Sequence, residues 1–457
     1  MSGPPEHAKP VPPPIRDPYL AFRHRPYCFY SAGNFISVIG RQMLGVAISY
    51  EVFLHTHSAT ALGLIGLAGA LPIIFLALPA GQIADRFNRR NIIIITQALG
   101  ALTSLGLMWL SLRGGTAPHW PLLDRSALFL RWLAHCFNED DPSIVFGPET
   151  PLVFGLLLLN GVARTFGWAA RTPLMANLVP RAALASAVTW GSSLFEIGSI
   201  SGPALGGLVI AWAGFATVYA LDALCSLVFI GFLLPVGSGS EERKAAVEGH
   251  PLRDLFSGLR FVFATKAILA TITLDLFAVL LGGATALLPM YAEKILFVGP
   301  LGLGWLRAAQ SIGAVTMAVA LAHLPPMKRA GWTMLMAVSG FGVATVIFGL
   351  SRWYWLSFVA LAAAGAFDNI SVVVRHTLVQ LLTPDAMRGR VAAVNNIFIG
   401  SSNELGAFES GVTAAAFGAV RSVVAGGIGT VLVVAAVALR WPEVRDIGAL
   451  APAEEKE

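Results

Sequence analysis

The chain has 457 residues, of which 56% are hydrophobic and 12% charged, with a formal net charge of +5. A soluble globular protein carries about 25% charged residues, so this balance excludes an ordinary soluble domain and points to an integral membrane protein. The basic residues are scattered between apolar runs rather than gathered in a patch, which argues against a nucleic-acid partner; Cys28, Cys136 and Cys225 show neither a disulfide framework nor metal-ligand spacing.

Residues 1–26, MSGPPEHAKPVPPPIRDPYLAFRHRP, are rich in proline and read as a disordered cytosolic tail. They hold no short apolar region followed by a small-residue cleavage site, so no signal peptide is expected. A helix needs about 20 mostly apolar residues to cross the hydrocarbon. Twelve such runs follow, near 27–53, 61–80, 91–112, 151–178, 184–211, 214–235, 266–291, 301–324, 331–350, 353–381, 389–417 and 421–440. They are continuous rather than alternating, which favours helices over a barrel. The expectation is an all-α membrane protein of twelve transmembrane helices in two six-helix bundles. The N-terminal bundle is expected at 27–235, a polar cytosolic linker at 236–265, the C-terminal bundle at 266–440 and a cytosolic tail at 441–457. Residues 113–150 form the one sizeable outer loop, in which SALFLRWLAHCF reads as an amphipathic helix lying on the membrane.

Lys and Arg in the loops set the orientation. With the N-terminus inside, 20 fall in inner segments and 6 in outer ones, which places both ends in the cytosol. Asp85, Arg86, Arg89 and Arg90 then lie in a tight cytosolic turn, GQIADRFNRR, between the second and third spans. There Gly81 permits close helix approach, Asp85 pairs with an arginine or caps a helix N-terminus, and the arginines anchor the cytosolic face. In the fifth span, GSISGPALGG places Gly198, Gly202, Gly206 and Gly207 where helices pack closely. Pro203 removes a backbone donor and bends the helix.

The fourth and tenth spans repeat one another. LNGVARTFGWAARTPLMANLVP aligns with AAGAFDNISVVVRHTLVQLLTP, matching Gly161 to Gly365, Arg171 to Arg375, Leu174 to Leu378 and Pro180 to Pro384 at a constant offset of 204. The spans that follow carry EIG, from Glu196, and ELG, from Glu404. Repeated halves are the common plan of secondary transporters.

The pattern G-x-x-x-D-R-x-x-R-R resembles the signature loop of the major facilitator superfamily, with Asn88 where that family usually has glycine; asparagine also tolerates a left-handed backbone. The second half's LPPMKRAGW keeps Lys328 and Arg329 but has no acid. GSISGPALGG matches that family's antiporter motif at every specified position. TPDAMRGRVAAVNNIFIGSSNELGAFESG and DLFAVLLGGATALLPMYAEKIL resemble the branch that includes the enterobactin exporter and bacterial transmembrane secretion effectors. The superfamily resemblance covers about residues 20–445. It implies the major facilitator fold in a bacterial inner membrane, a signature loop that helps latch the halves in one state, and exchange of substrate for protons. It also implies a central cavity lined by the first and fourth spans of each half.

All four of those spans carry a charge. Arg41 and Arg164 each lie about 20 Å from their starting interface, near the midplane; Asp275 and Asp368 are set into the seventh and tenth spans. Ionisable groups at that depth cost several kcal/mol without a partner, a cavity or a role. Arg164 and Asp368 occupy equivalent repeat positions, which suggests a charge pair across the pseudo-two-fold axis. Asp368 and Asp275 are the first candidates for proton coupling, Glu196 and Glu404 the second. Arg171, Arg375 and Arg307 read as snorkelling from span ends. Asp222, Glu51 and Glu409 read as nearer the outer side, and no role is assigned to them.

The expected function is proton-coupled export of amphipathic small molecules, such as siderophores or drugs, with a lean toward anionic ones. An importer or lysolipid flippase on the same fold, and a membrane sensor that does not transport, are the alternatives. No P-loop, H-E-x-x-H or G-x-S-x-G element is present, so no enzyme, cofactor or metal is expected. The expected partners are substrate, protons and the lipid bilayer, and the protein is expected to act as a monomer.

Overall fold

Apolar runs and their caps set the helix boundaries. The computed structural model describes residues 17–114, 120–139, 141–237, 251–325, 327–384, 387–445 and 448. Of the tail expected to be disordered over 1–26, residues 1–16 lie outside the described residues, whereas 17–26 are ordered, with a 3-10 turn at Leu20–Arg23 and the start of the first α-helix at Arg25; parts of the expected linker (238–250) and C-terminal tail (446–447 and 449–457) also lie outside them. Helix α1 (Arg25–Thr56) opens with Pro26 in its first turn, where a missing N–H costs nothing. Ser58 caps α2 (Ala59–Arg86) by accepting from the Ala61 N–H at 3.1 Å. Asn88 caps α3 (Arg89–Leu112), accepting from the Arg90 N–H at 3.0 Å, with φ −64° rather than the left-handed conformation that its place in the motif had suggested.

The remaining helices are α4 (Pro121–Cys136), α5 (Glu149–Asn177), α6 (Leu184–Ala213), α7 (Phe215–Leu233), α8 (Pro251–Ala264), α9 (Lys266–Leu281), α10 (a single turn, Leu288–Met290), α11 (Gly299–His323), α12 (Ala330–Leu350), α13 (Tyr354–Leu382), α14 (Arg388–Phe417) and α15 (Ala419–Arg440). Among the described residues ten helical segments are long and apolar enough to cross a membrane. Helices α1 and α14, with 32 and 30 residues, are of matching length and pack among them.

Two segments differ from the sequence expectation. The region read as a polar linker contains α8, whose Leu259, Phe261 and Val262 pack on Ile268 and Val394. The seventh span is broken: α9 stops at Leu281, and the chain continues through a 3-10 turn, α10 and a π-helical turn at Tyr291–Ile295. Gly282 and Gly283 make the break. A Cβ on Gly283 would stand 2.7 Å from the Gly406 carbonyl of α14, so only glycine lets the two backbones meet there.

We term the end of the bundle that holds the start of α1 and the end of α15 the base, and the opposite end the crown. In the first half α1 packs on α6 and α7, α2 on α5, and α3 on α5 and α7. In the second half α9 packs on α14 and α15, α11 on α13, and α12 on α13 and α15. The two sets are the same pairs under the repeat. The turns agree too: α6 meets α7 at Gly214 (φ +78°) and α14 meets α15 at Gly418 (φ +86°), separated by 418 − 214 = 204 residues. The halves join through α2 on α14 and α6 on α11, a pair of seams that the repeat exchanges.

The antiporter-motif glycines have a packing explanation. Cβ atoms on Gly198 and Gly206 would press on Val38 and Met43 of α1, and one on Gly207 would reach the Gly304 backbone of α11. Small residues on α6 thus seat it between its own half and the other.

Core packing is uneven along the bundle axis. One large cluster at the crown draws on both halves, joining Met43, Tyr50 and Phe53 to Leu288, Tyr291, Leu303 and Phe348. Toward the base the clusters separate: Tyr30, Ile93, Leu174 and Phe229 belong to the first half, Leu274, Met334, Val374 and Val437 to the second. The halves are therefore closed on each other at the crown and divided at the base. Helix α4 lies beside the crown. Behind it, Glu139 accepts from the Ser58 hydroxyl and the Ala59 N–H, both at 2.6 Å, and from the Thr60 N–H at 3.2 Å. In the same loop the Ser143 backbone N–H holds the Asp141 carboxyl below the usual carboxylate range.

Candidate functional site

The seam between α2 and α14 positions the central charges. Arg164 of α5 donates from Nη2 to Glu404 Oε1 of α14 at 2.5 Å, across the two halves. Their side chains are 34% and 23% exposed, so the pair is sheltered but reachable. Gly69 of α2 provides the room: a Cβ there would stand 2.6 Å from Glu404 Oε2 and 3.2 Å from Arg164 Nη2.

This replaces the expected Arg164–Asp368 pair. Helix α14 packs on α2 and brings Glu404 within reach of α5, the neighbour of α2. Helix α13, which carries Asp368, packs instead on α11 and α12. Asp368 makes no hydrogen bond or ion pair among the described residues, and neither does Glu196. Asp275 of α9 is paired with Arg375 of α13 inside the second half, with side chains 10% and 3% exposed. Arg375 therefore does not snorkel.

Arg171, the repeat partner of Arg375, does not snorkel either. It donates to Gln97 Oε1 at 3.0 Å, and Gln97 donates onward to Ser37 at 2.8 Å. The Arg171 guanidinium also lies 5.8 Å from the centre of the Phe229 ring. Arg41 sits in the field of two other arginines, Arg171 and Arg164, and of one acid, Asp222. Asp222, on α7, is buried and accepts from the Ser104 hydroxyl at 2.6 Å. Among the described residues, buried side-chain oxygens without a partner include Asn34 on α1, Asn369 on α13 and Ser401 on α14. Such orphans call for a ligand or water.

At the crown, polar contacts close the halves. The Tyr50 hydroxyl of α1 donates to Glu293 Oε2, in the π-helical turn, at 2.6 Å. Arg307 of α11 donates to the Gly45 carbonyl at 3.2 Å and to the Ser49 hydroxyl at 3.3 Å, both on α1. Arg307 was expected to snorkel; it bridges the halves instead. Lys294 lies 5.4 Å from the centre of the Phe53 ring. Glu51 accepts from the Ser111 hydroxyl at 2.6 Å and from Tyr219, within the first half.

At the base, Asp85 faces Arg89 at 3.5 Å on the surface. Arg90 donates to the Leu233 and Leu234 carbonyls at 2.9 and 2.8 Å, tying the start of α3 to the end of α7. Arg86 is exposed. A Cβ on Gly81 would meet nothing within 4 Å, so the close helix approach expected there is absent in this state.

Sequence reasoning named Arg41, Arg164, Asp275, Asp368, Glu196 and Glu404 but misassigned the partner of Arg164 and named none for Asp275. It passed over Asp222, Tyr50 and Glu293. Asp222 carried a signal, an acid alone in an otherwise uncharged span. Tyr50 and Glu293 carried none. Among the described residues no group of three or more His, Cys, Asp and Glu could hold a metal ion.

Comparison with known proteins places this architecture. The transmembrane secretion effector family matches residues 17–129 and 146–455. The enterobactin exporter EntS of Shigella boydii serotype 18 is 26% identical over 401 residues, covering 88% of each chain; EntS of Escherichia coli O139:H28 matches to the same extent. Among solved structures, the nucleoside transporter NupG aligns with TM-score 0.66 at 12% identity, covering 91% of this chain and 99% of that one. The xylose transporter XylE from E. coli, in an inward-open conformation, aligns with TM-score 0.62 at 14% identity, covering 90% and 95%. A bacterial homologue of the lysosomal transporter Spinster, inward-facing and occupied, gives 0.64 at 12% identity, covering 94% and 99%.

Proposed function

The chain belongs to the transmembrane secretion effector family, a family of multi-pass membrane transporters, and from that premise we propose that it exports amphipathic anionic small molecules in exchange for protons. Siderophores are the leading substrates, because the curated relatives at 26% identity are enterobactin exporters. The ten apolar helices together with α1 and α14 make twelve spans in a bacterial inner membrane. The base, with the start of α1 and the end of α15, faces the cytosol, in keeping with the Lys/Arg split of 20 to 6. The state described is then open to the cytosol and closed at the crown, and one chain suffices as the transporting unit.

The observation that carries this reading is the Arg164–Glu404 contact across the halves. With no substrate, Glu404 neutralises Arg164. A proton on Glu404 removes that attraction, and an anionic group that takes the place of the Glu404 carboxylate on Arg164 does the same. Either ligand thus releases the contact between the halves while the empty carrier stays locked, which is what exchange requires. Asp275 is already neutralised by Arg375 and is assigned a structural role. Asp368 and Glu196 remain proton sites of second rank.

Purified protein in liposomes with an imposed pH gradient and a pH-sensitive dye tests this. A catecholate siderophore is expected to dissipate the gradient with wild type and with Asp368→Asn, but not with Glu404→Gln. Dissipation by Glu404→Gln at the wild-type rate would remove Glu404 from coupling. Movement of radiolabelled siderophore without proton flux would exclude antiport.

A further inference from the structure

On the outside of the second half, α12 and α13 part to form an apolar groove of about 830 Å³. Trp332, Met336 and Val343 of α12 form one wall, and Leu356, Val359 and Phe367 of α13 the other. It is separate from the central charges: Asp368 follows Phe367 by one residue, a turn of about 100° around α13. Its depth comes from Gly340, where a Cβ would stand 2.8 Å from the Phe367 ring. From Trp332 to Ile347 the groove runs along α12 for about 22 Å, longer than half of a roughly 30 Å hydrocarbon core. At the base end it is closed by Arg329, the residue that precedes α12 and the one charged member of the lining. Lys328 comes directly before it.

The geometry points to a binding site for one anionic phospholipid of the base leaflet, its acyl chain laid along the groove and its phosphate at Arg329. Three features fit that ligand and no soluble one. The walls are apolar and face the membrane. The length accepts one acyl chain whole. The single cation stands at the depth of the headgroups, beside Trp332, where cations and tryptophans mark the interface. A zwitterionic lipid would fill the groove equally well but would gain less from Arg329. The inference rests on the chain spanning a membrane and is independent of which substrate it carries.

Native mass spectrometry of the protein released from nanodiscs of equal phosphatidylglycerol and phosphatidylethanolamine tests it. Wild type is expected to retain one phospholipid, with phosphatidylglycerol favoured on the order of fivefold, the gain expected of one cation near the headgroups. Val343→Trp fills the groove from an exposed position and should abolish retention, whereas Arg329→Gln should keep one lipid and lose the preference. Retention by Val343→Trp equal to wild type, or no retained lipid in wild type, overturns the site. An unchanged preference in Arg329→Gln overturns the role of the headgroup contact.

Discussion

Arg164 and Glu404 meet at 2.5 Å from opposite halves of the molecule, in a space that exists because residue 69 has no side chain. Gly69→Ala separates the contact from the fold. The atoms that an added Cβ would meet are the free ends of two flexible side chains, so the protein should insert and keep its melting temperature within a few degrees. Transport should fall by at least about tenfold, a loss of about 1.4 kcal/mol at the rate-limiting state. Flux in liposomes beside thermal unfolding in detergent checks both halves of the statement.

The buried pair Asp275–Arg375 should behave in the opposite way. Asp275→Asn leaves an uncompensated guanidinium in a nearly fully buried site, and removal of one partner of such a pair costs about 3–5 kcal/mol. The double substitution Asp275→Asn with Arg375→Met should recover most of that loss. Thermal unfolding of the two variants is the measurement; equal instability in both would mean that the pair is not the source.

Tyr50→Phe removes one hydroxyl from the crown closure without changing the ring. A hydrogen bond to a charged group contributes about 1.5–3 kcal/mol, so crown-open molecules should become at least about tenfold more frequent. Spin labels at His55 and Leu301, on opposite halves at the crown, should report a longer distance in the variant. An unchanged distance distribution would show that packing, rather than Tyr50–Glu293, holds the crown.

Glu139 accepts three hydrogen bonds at the first turn of α2. A carboxylate there caps free N–H groups and complements the helix dipole. Glu139→Ala should lower stability by about 1–2 kcal/mol, and Glu139→Gln, which keeps the acceptor but not the charge, by less. Ranked melting temperatures in that order support the assignment.

How much of this was legible in the sequence depends on whether one element or two decide the feature. The helices follow from apolar runs, and the Gly214 and Gly418 turns follow the same offset as Arg171 and Arg375. The glycines of α6 signalled close packing before any neighbour was known. Ion-pair partners were not legible. Repeat symmetry offered Asp368 to Arg164, yet the seams place α14 rather than α13 beside α2, and Glu404 takes the arginine. Tyr50 and Glu293 lie 243 residues apart, and neither is unusual in its own segment. The break after Leu281 was hidden because glycine pairs are common in apolar spans.

The division of the core also sets an order of assembly. The base cluster of the first half, around Ile93 and Phe229, uses no residue beyond Val236. It can be completed while the second half is still on the ribosome. The crown cluster cannot, because Phe53 and Tyr50 wait for Leu288, Tyr291 and Leu303. A nascent chain stopped at residue 237 would present an inserted bundle with an unfinished apolar tip, and the surface that later seals the transporter would first be the place where a chaperone or a second, mismatched half could attach.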